Sequence, residues 1–182
     1  MRKEIGSLFG MYSVCPNSAT LTEMRMRMYT AIQVANWFRA AVDRDAGDSL
    51  THLKLQKLVY YAQAWALAIL GRPLFEEDFR AWAHGPVSLE VWHEFKDYGW
   101  EALPAPGDVP ELDAEAEELL RDVLASYGEH SAKKLEDLTH SEDPWLRARG
   151  DLPPEARSTA IIPKAHMQQY YRARYEQVGE EG

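Results

Sequence analysis

Hydrophobic positions recur along this chain mostly at three- and four-residue steps, the period of an α-helix with one buried face. The strongest case runs from Thr51 to Leu70, where Leu55, Leu58, Val59, Ala62, Trp65, Ala66 and Ile69 share a face. The Thr51 hydroxyl is placed to cap the first turn. At the far end Gly71 can take the left-handed conformation that closes a helix, and Pro73 cannot continue one. Lys54, Gln56 and Lys57 give the first half a polar side, whereas beyond Tyr60 the perimeter is apolar or small all round except for Gln63. A helix of that kind cannot face water, so the pattern predicts a central helix surrounded by others.

Shorter patterns flank it. Ala31 to Val42 is amphipathic, with Ile32, Ala35, Phe38 and Val42 as its stripe. Phe79 to Ala83 alternates as a short strand would. Gly85-Pro86 breaks the chain, and Pro86 suits the first turn of a helix with Val87, Val91, Phe95 and Tyr98 on one face. A turn-rich connection follows, from Tyr98 to Gly107. Leu112 to Tyr127 reads as a helix with Leu119, Leu120 and Val123 inward and Glu115, Glu117, Glu118 and Asp122 outward. Ser131 caps a shorter helix ending at His140, and Asp143 caps another to Arg149 with Pro144 at its first position. Thr159 to Ile162 suits a short strand, and residues 163–178 a last helix before a polar tail at 179–182.

The expected fold is therefore mainly α: a single compact multi-helix domain over 29–178, built around the buried helix 51–70. Residues 79–83 and 159–162 supply a short two-stranded β element. Residues 1–28 lack a period and hold five methionines, which suggests a poorly ordered arm or a misassigned start.

The 182 residues are 46% hydrophobic, enough for one domain with a core. Net charge is −9, and Glu101 to Asp143 alone carries 13 acids against three bases. That excess repels phosphate and leaves no basic stripe, so no direct nucleic-acid binding is expected. Cys15 is the only cysteine, which excludes an internal disulfide and a cysteine-rich metal cluster. No apolar run reaches the length of a membrane span, and no secretory signal pattern opens the chain; the expected compartment is the cytoplasm.

Candidate chemistry is sparse. His93-Glu94 is followed by Asp97 where a zinc-protease helix needs a second histidine. His140 and Glu142 lie near Trp145, a grouping better suited to tying a helix end to a loop than to catalysis. His84, before Gly85-Pro86, is the histidine best placed for a pocket, but spacing identifies no partner base or nucleophile. Neither a phosphate-binding loop nor a dinucleotide fingerprint is present. No cofactor, metal or catalytic set is expected.

A series of motifs goes further. Leu50-Thr-His-Leu-Lys-Leu-Gln-Lys-Leu-Val-Tyr-Tyr-Ala-Gln63 is followed by Arg72-Pro-Leu-Phe75 and by Phe79-Arg-Ala-Trp-Ala-His-Gly-Pro-Val87. Then come Tyr98-Gly99, Tyr127-Gly128, Leu138-Thr-His-Ser-Glu-Asp-Pro-Trp145, Ile162 and Tyr170-Tyr171. In this order, from about Tyr29 to Arg174, the motifs resemble the Panacea antitoxin domain, the family of SocA-like and GepA-like phage-associated proteins. The resemblance implies the antitoxin half of a bacterial or phage toxin–antitoxin pair. Such a protein would bind a cognate toxin, encoded by an adjacent gene, and block it stoichiometrically. The alternatives are an adaptor that delivers the toxin to a cellular protease and, from another class, a hydrolase acting through His84 or His140. No helix-turn-helix segment accompanies the domain, so operator binding is not expected.

Within the motifs, Leu55, Leu58, Tyr61 and Trp65 are expected in the core, with Gly85, Pro86, His140 and Pro144 as structural residues and Trp145 as the anchor of the short helix that Pro144 starts. The candidate toxin contacts are Lys54, Lys57, Tyr61, Trp82, His84 and Trp145. The two lysines stand one turn apart and suit acidic partners either within this fold or on a toxin, and Trp82 would anchor an interface if exposed.

Overall fold

A helix from His52 to Trp65 (here α2, after α1 at Ala31–Ala41) runs through the middle of the protein, and most of the other elements are packed against it. The computed structural model describes residues 27–44 and 49–180; the expectation for the segment before Arg27 and the last two residues of the tail lie outside them. Thr51 caps α2 through its hydroxyl, which accepts from the Lys54 N–H at 3.3 Å. The helix continues as a π-helical turn, Ala66–Leu70, and Gly71 closes it at φ 67°. A wider turn leaves carbonyls free, and the Gln168 side chain donates to one of them, Leu67 O, at 2.9 Å.

α1 starts at a reciprocal capping box between Thr30 and Gln33 and lays Val34, Ala35 and Phe38 on α2. β1 (Phe79–Trp82) and β2 (Gly85–Ser88) form a hairpin with Ala83-His84 at its tip. β3 (Ile161–Ile162) pairs antiparallel with the other edge of β1, giving the order β2-β1-β3. The helices that complete the fold are α3 (Leu89–Phe95), α4 (Ala114–Tyr127), α5 (Ala132–His140), α6 (Asp143–Arg149) and α7 (Lys164–Glu180). The domain is thus mainly α with a small sheet. Leu55, Leu58 and Trp65 are buried on α2, against Phe75, Phe79, Leu119, Leu135 and Tyr171 from the surrounding elements.

Three expectations need correction. The β element has three strands, because Pro86 lies in β2 rather than in a helix. An edge strand tolerates a proline, and the helix starts only at Leu89, where the Ser88 hydroxyl accepts from Val91 N–H. Tyr98 consequently leaves the buried face of α3 and sits exposed in the short 3₁₀ turn Lys96–Tyr98. At α6 the cap position falls on Glu142, not Asp143, and its carboxylate is engaged elsewhere.

The third correction concerns the polar side of α2, which is not solvated: Gln56 and Lys57 are both buried. Gln56 acts like a strand neighbour of Ser88, accepting its N–H at 2.9 Å and donating to its carbonyl at 3.1 Å. Gln63, two turns on, does the same for the segment leading into β1. Its amide donates to Phe75 O at 2.7 Å and accepts from Leu74 N–H at 2.8 Å. Replacing Gln63→Leu would strand those backbone groups in the core, so urea unfolding should show a loss of about 2–4 kcal/mol. A variant as stable as the parent would mean that Gln63 holds nothing.

Candidate functional site

The residues singled out in the sequence gather around the hairpin tip rather than along α2. The Lys57 ammonium reaches out of α2 to donate to Pro86 O at 3.0 Å. It is wholly buried, and desolvation lowers its pKa to about 7 despite the opposing pull of Glu136. Gly85 lies against it at φ +92°; a Cβ there would stand 2.7 Å from Thr139 Oγ1 and 2.8 Å from Lys57 Nζ. Only glycine allows the hairpin to sit this close to α2 and α5. From the other side Trp145 Nε1 donates to Trp82 O at 3.0 Å, and Arg149 donates to Ala81 O at 2.9 Å. The His140 ring stacks on Trp145 at 4.1 Å between centroids. Burial lowers its pKa, opposed by Glu136 and by a hydrogen bond to the Ala83 backbone.

The outer side of this knot is open. The His84 side chain is 70% exposed, and its Nδ1 lies 3.4 Å from Glu136 Oε1. Glu136 is itself buried, which works to raise its pKa; hydrogen bonds from Lys133 and His84 outweigh that and hold it below the ordinary value. Trp82 is half-buried and meets Trp92 edge to face at 5.5 Å.

The six candidate contacts therefore separate. Trp82 and His84 reach the surface together. Lys57 and Trp145 lie beneath them as buried supports. Lys54 lines a different place, a cleft of about 800 Å³ between α1, α2 and α4 that also borders Trp37, Leu58, Arg121 and Leu124. Tyr61 is in the core, its ring stacked on Tyr127 at 4.0 Å. Of the structural set, Gly85, Pro86 and His140 belong to the hairpin support, and buried Pro144 opens α6.

Sequence reasoning passed over the groups that complete the arrangement. Thr139 and Glu136 face the hairpin from α5, one and four residues before His140. Glu142 accepts the Tyr171 hydroxyl's proton bond and pairs with Arg174 at 3.1 Å, fastening the start of α6 to α7. Burial lifts its pKa to about 7, against the lowering effect of Tyr171 and Arg174. The motif Leu138 to Trp145 contained Thr139 and Glu142, but period and composition alone do not say that a carboxylate faces inward.

Thr139 Oγ1 is buried and donates to Glu136 O at 2.8 Å, so it is not presented as a nucleophile. Among the described residues no group of three His, Cys, Asp or Glu could hold a metal ion. No described helix is long and apolar enough to cross a membrane.

What fold and site define is a helical domain that holds a small hairpin rigidly from behind and presents its tip. The chain belongs to the antitoxin SocA-like, Panacea domain family, whose profile matches residues 55–146. That span takes in most of α2, the hairpin, α3 to α5 and the start of α6, including Lys57, Gly85, His140 and Trp145. Antitoxin SocA of Caulobacter vibrioides (strain NA1000 / CB15N) is 32% identical over 109 residues, which cover 53% of this chain and 58% of that protein. The match thus spans less than two thirds of that relative's length. No solved structure matches the chain.

Lys57 yields a pH test. Its folded-state pKa lies below the ordinary lysine value, so between about pH 7 and 10.5 the unfolded chain binds the extra proton. Its contribution to stability therefore rises with pH across that window, with a slope of up to about 1.4 kcal/mol per pH unit. Unfolding of wild type and Lys57→Met across the window should show this rise in the wild type alone; parallel curves would contradict the buried amine.

Proposed function

We propose that this protein is the antitoxin of a toxin–antitoxin pair and neutralises a cognate protein toxin by stoichiometric binding, using the hairpin tip with Trp82 and His84 as part of its contact surface. The observation that carries this reading is the inside-out use of the family's motif residues. Lys57, Gly85, His140 and Trp145 spend their side chains or their lack of one on fixing the hairpin, and what emerges is an aromatic and an imidazole. A rigid, preorganised tip loses little entropy on binding, which favours an interface. Membership in the SocA-like family and the similarity to antitoxin SocA support the neutralising role.

Lys57 and Tyr61 take no part in the contact on this reading. Both are wholly enclosed, and a Lys57→Glu change would bury a carboxylate against the Pro86 carbonyl and unfold the hairpin. The suitable variants are Trp82→Ala and His84→Ala.

Growth of cells expressing the adjacent gene, alone and together with this one, tests the proposal. The expected result is arrest by the neighbour, relief on co-expression and a co-purifying complex. The double variant Trp82→Ala/His84→Ala should fold and yet protect at least about tenfold less well. Relief that needs a host protease and yields no lasting complex would establish the adaptor instead. Full protection by the double variant would remove the hairpin tip from the interface.

A further inference from the structure

Trp82 is not isolated at the surface. Its ring touches Trp92 of α3, and Trp92 in turn carries the Lys96 ammonium 5.1 Å from its ring centre. The chain then makes the Lys96–Tyr98 turn, passes Gly99 at φ 55° and presents Trp100, which is 76% exposed. Trp100 is the most exposed large hydrophobic side chain among the described residues, and Tyr98 beside it is exposed as well. The loop that bears them is not loose. Leu103 N–H donates to Leu50 O at 2.8 Å, and Arg39 donates to Pro104 O at 3.1 Å. A large apolar ring held in water on an anchored loop costs hydration free energy that the fold itself does not recover.

The charge around these rings is mostly negative. Glu90, Glu94, Asp97 and Glu101 are exposed within the same twelve residues, against Lys96 and His93. Asp97 and Glu101 have no ion-pair partner among the described residues. Indole faces attract guanidinium and ammonium groups, and carboxylates around them pair with the same groups. The Lys96 ammonium over Trp92 shows within this chain the contact that a partner's cation would make.

We propose that the toxin engages the surface of residues 90–101, on which Trp100 is the most exposed ring, and that it does so through a basic, Arg- or Lys-rich segment. This rests on the neutralising role and adds to it the face used and the chemistry of the partner. Cationic side chains of the toxin stack on Trp100 and pair with Glu94, Asp97 and Glu101. Association is accordingly steered by charge and weakens as salt rises.

The test is titration of the full chain with the purified product of the adjacent gene, at low and at high salt, with folding of each variant checked by circular dichroism. Trp100→Ala should weaken binding at least about tenfold, as expected for an interface anchor. Glu94→Lys/Asp97→Lys should weaken it further and remove its salt dependence. Ile161→Ala, an exposed residue on β3, should leave affinity unchanged. Wild-type affinity in Trp100→Ala and in the charge reversal would overturn this face while leaving neutralisation standing. A salt-independent wild-type complex would overturn the basic partner. Failure of the wild type both to bind and to protect would remove the neutralising role, and this face with it.

Discussion

The structure depends on one constraint: a helix buried on every side must find partners for the side-chain amide and ammonium groups it carries. α2 meets it by lending Gln56, Lys57 and Gln63 to backbone that has no helix of its own. Gln56 and Gln63 each accept and donate, completing the hydrogen bonding of Ser88 and of Leu74-Phe75 as a neighbouring strand would. Unmade, each of those bonds would cost far more than it gains when made, so the three side chains fix where β1 and β2 can lie. The hairpin's place, and with it the exposure of Trp82 and His84, follows from the interior of α2.

A second polar knot holds the opposite flank. Glu142 sits among Tyr60, Tyr61, Tyr127 and Tyr171, whose hydroxyls are pushed toward the neutral form by their own burial first and by its charge second. Its pairing with Arg174 ties α6 to α7 and so steadies Trp145, which supports Trp82 from behind. Glu142 and Lys57 act oppositely with pH. The folded chain favours the protonated acid, so Glu142 contributes least above about pH 7; it disfavours the protonated amine, so Lys57 contributes least below about pH 7. Together they are costliest near neutrality, which is intelligible if what they secure is position rather than stability.

The helices and the central place of α2 were legible in the sequence because a 3.6-residue period and caps such as Thr51 and Ser131 act locally. β2 was not legible. Pro86 and Ser88 look like the opening of a helix, and what extends them is a pair of side chains some thirty residues away in α2. Lys57 misled for a related reason. A lysine beside Lys54 on an amphipathic half-turn reads as solvated, and only the tertiary position of Pro86 O draws it inward. The motif order pointed correctly to the family, whereas the division of the motif residues between support and surface follows from tertiary contacts. Trp100 belongs to no motif read in the sequence, and nothing in its local pattern signals exposure.

Amide hydrogen exchange at Leu74 and Ser88 in the free protein measures the central constraint most directly. Both N–H groups bond to α2 glutamines, and the account places them with the slowest-exchanging amides of α2 itself. Slow exchange at both, lost at Ser88 in Gln56→Leu and at Leu74 in Gln63→Leu, is the expected result. Rapid exchange at these two positions in the wild type would contradict it, and would mean that the hairpin is not held by the helix beneath it.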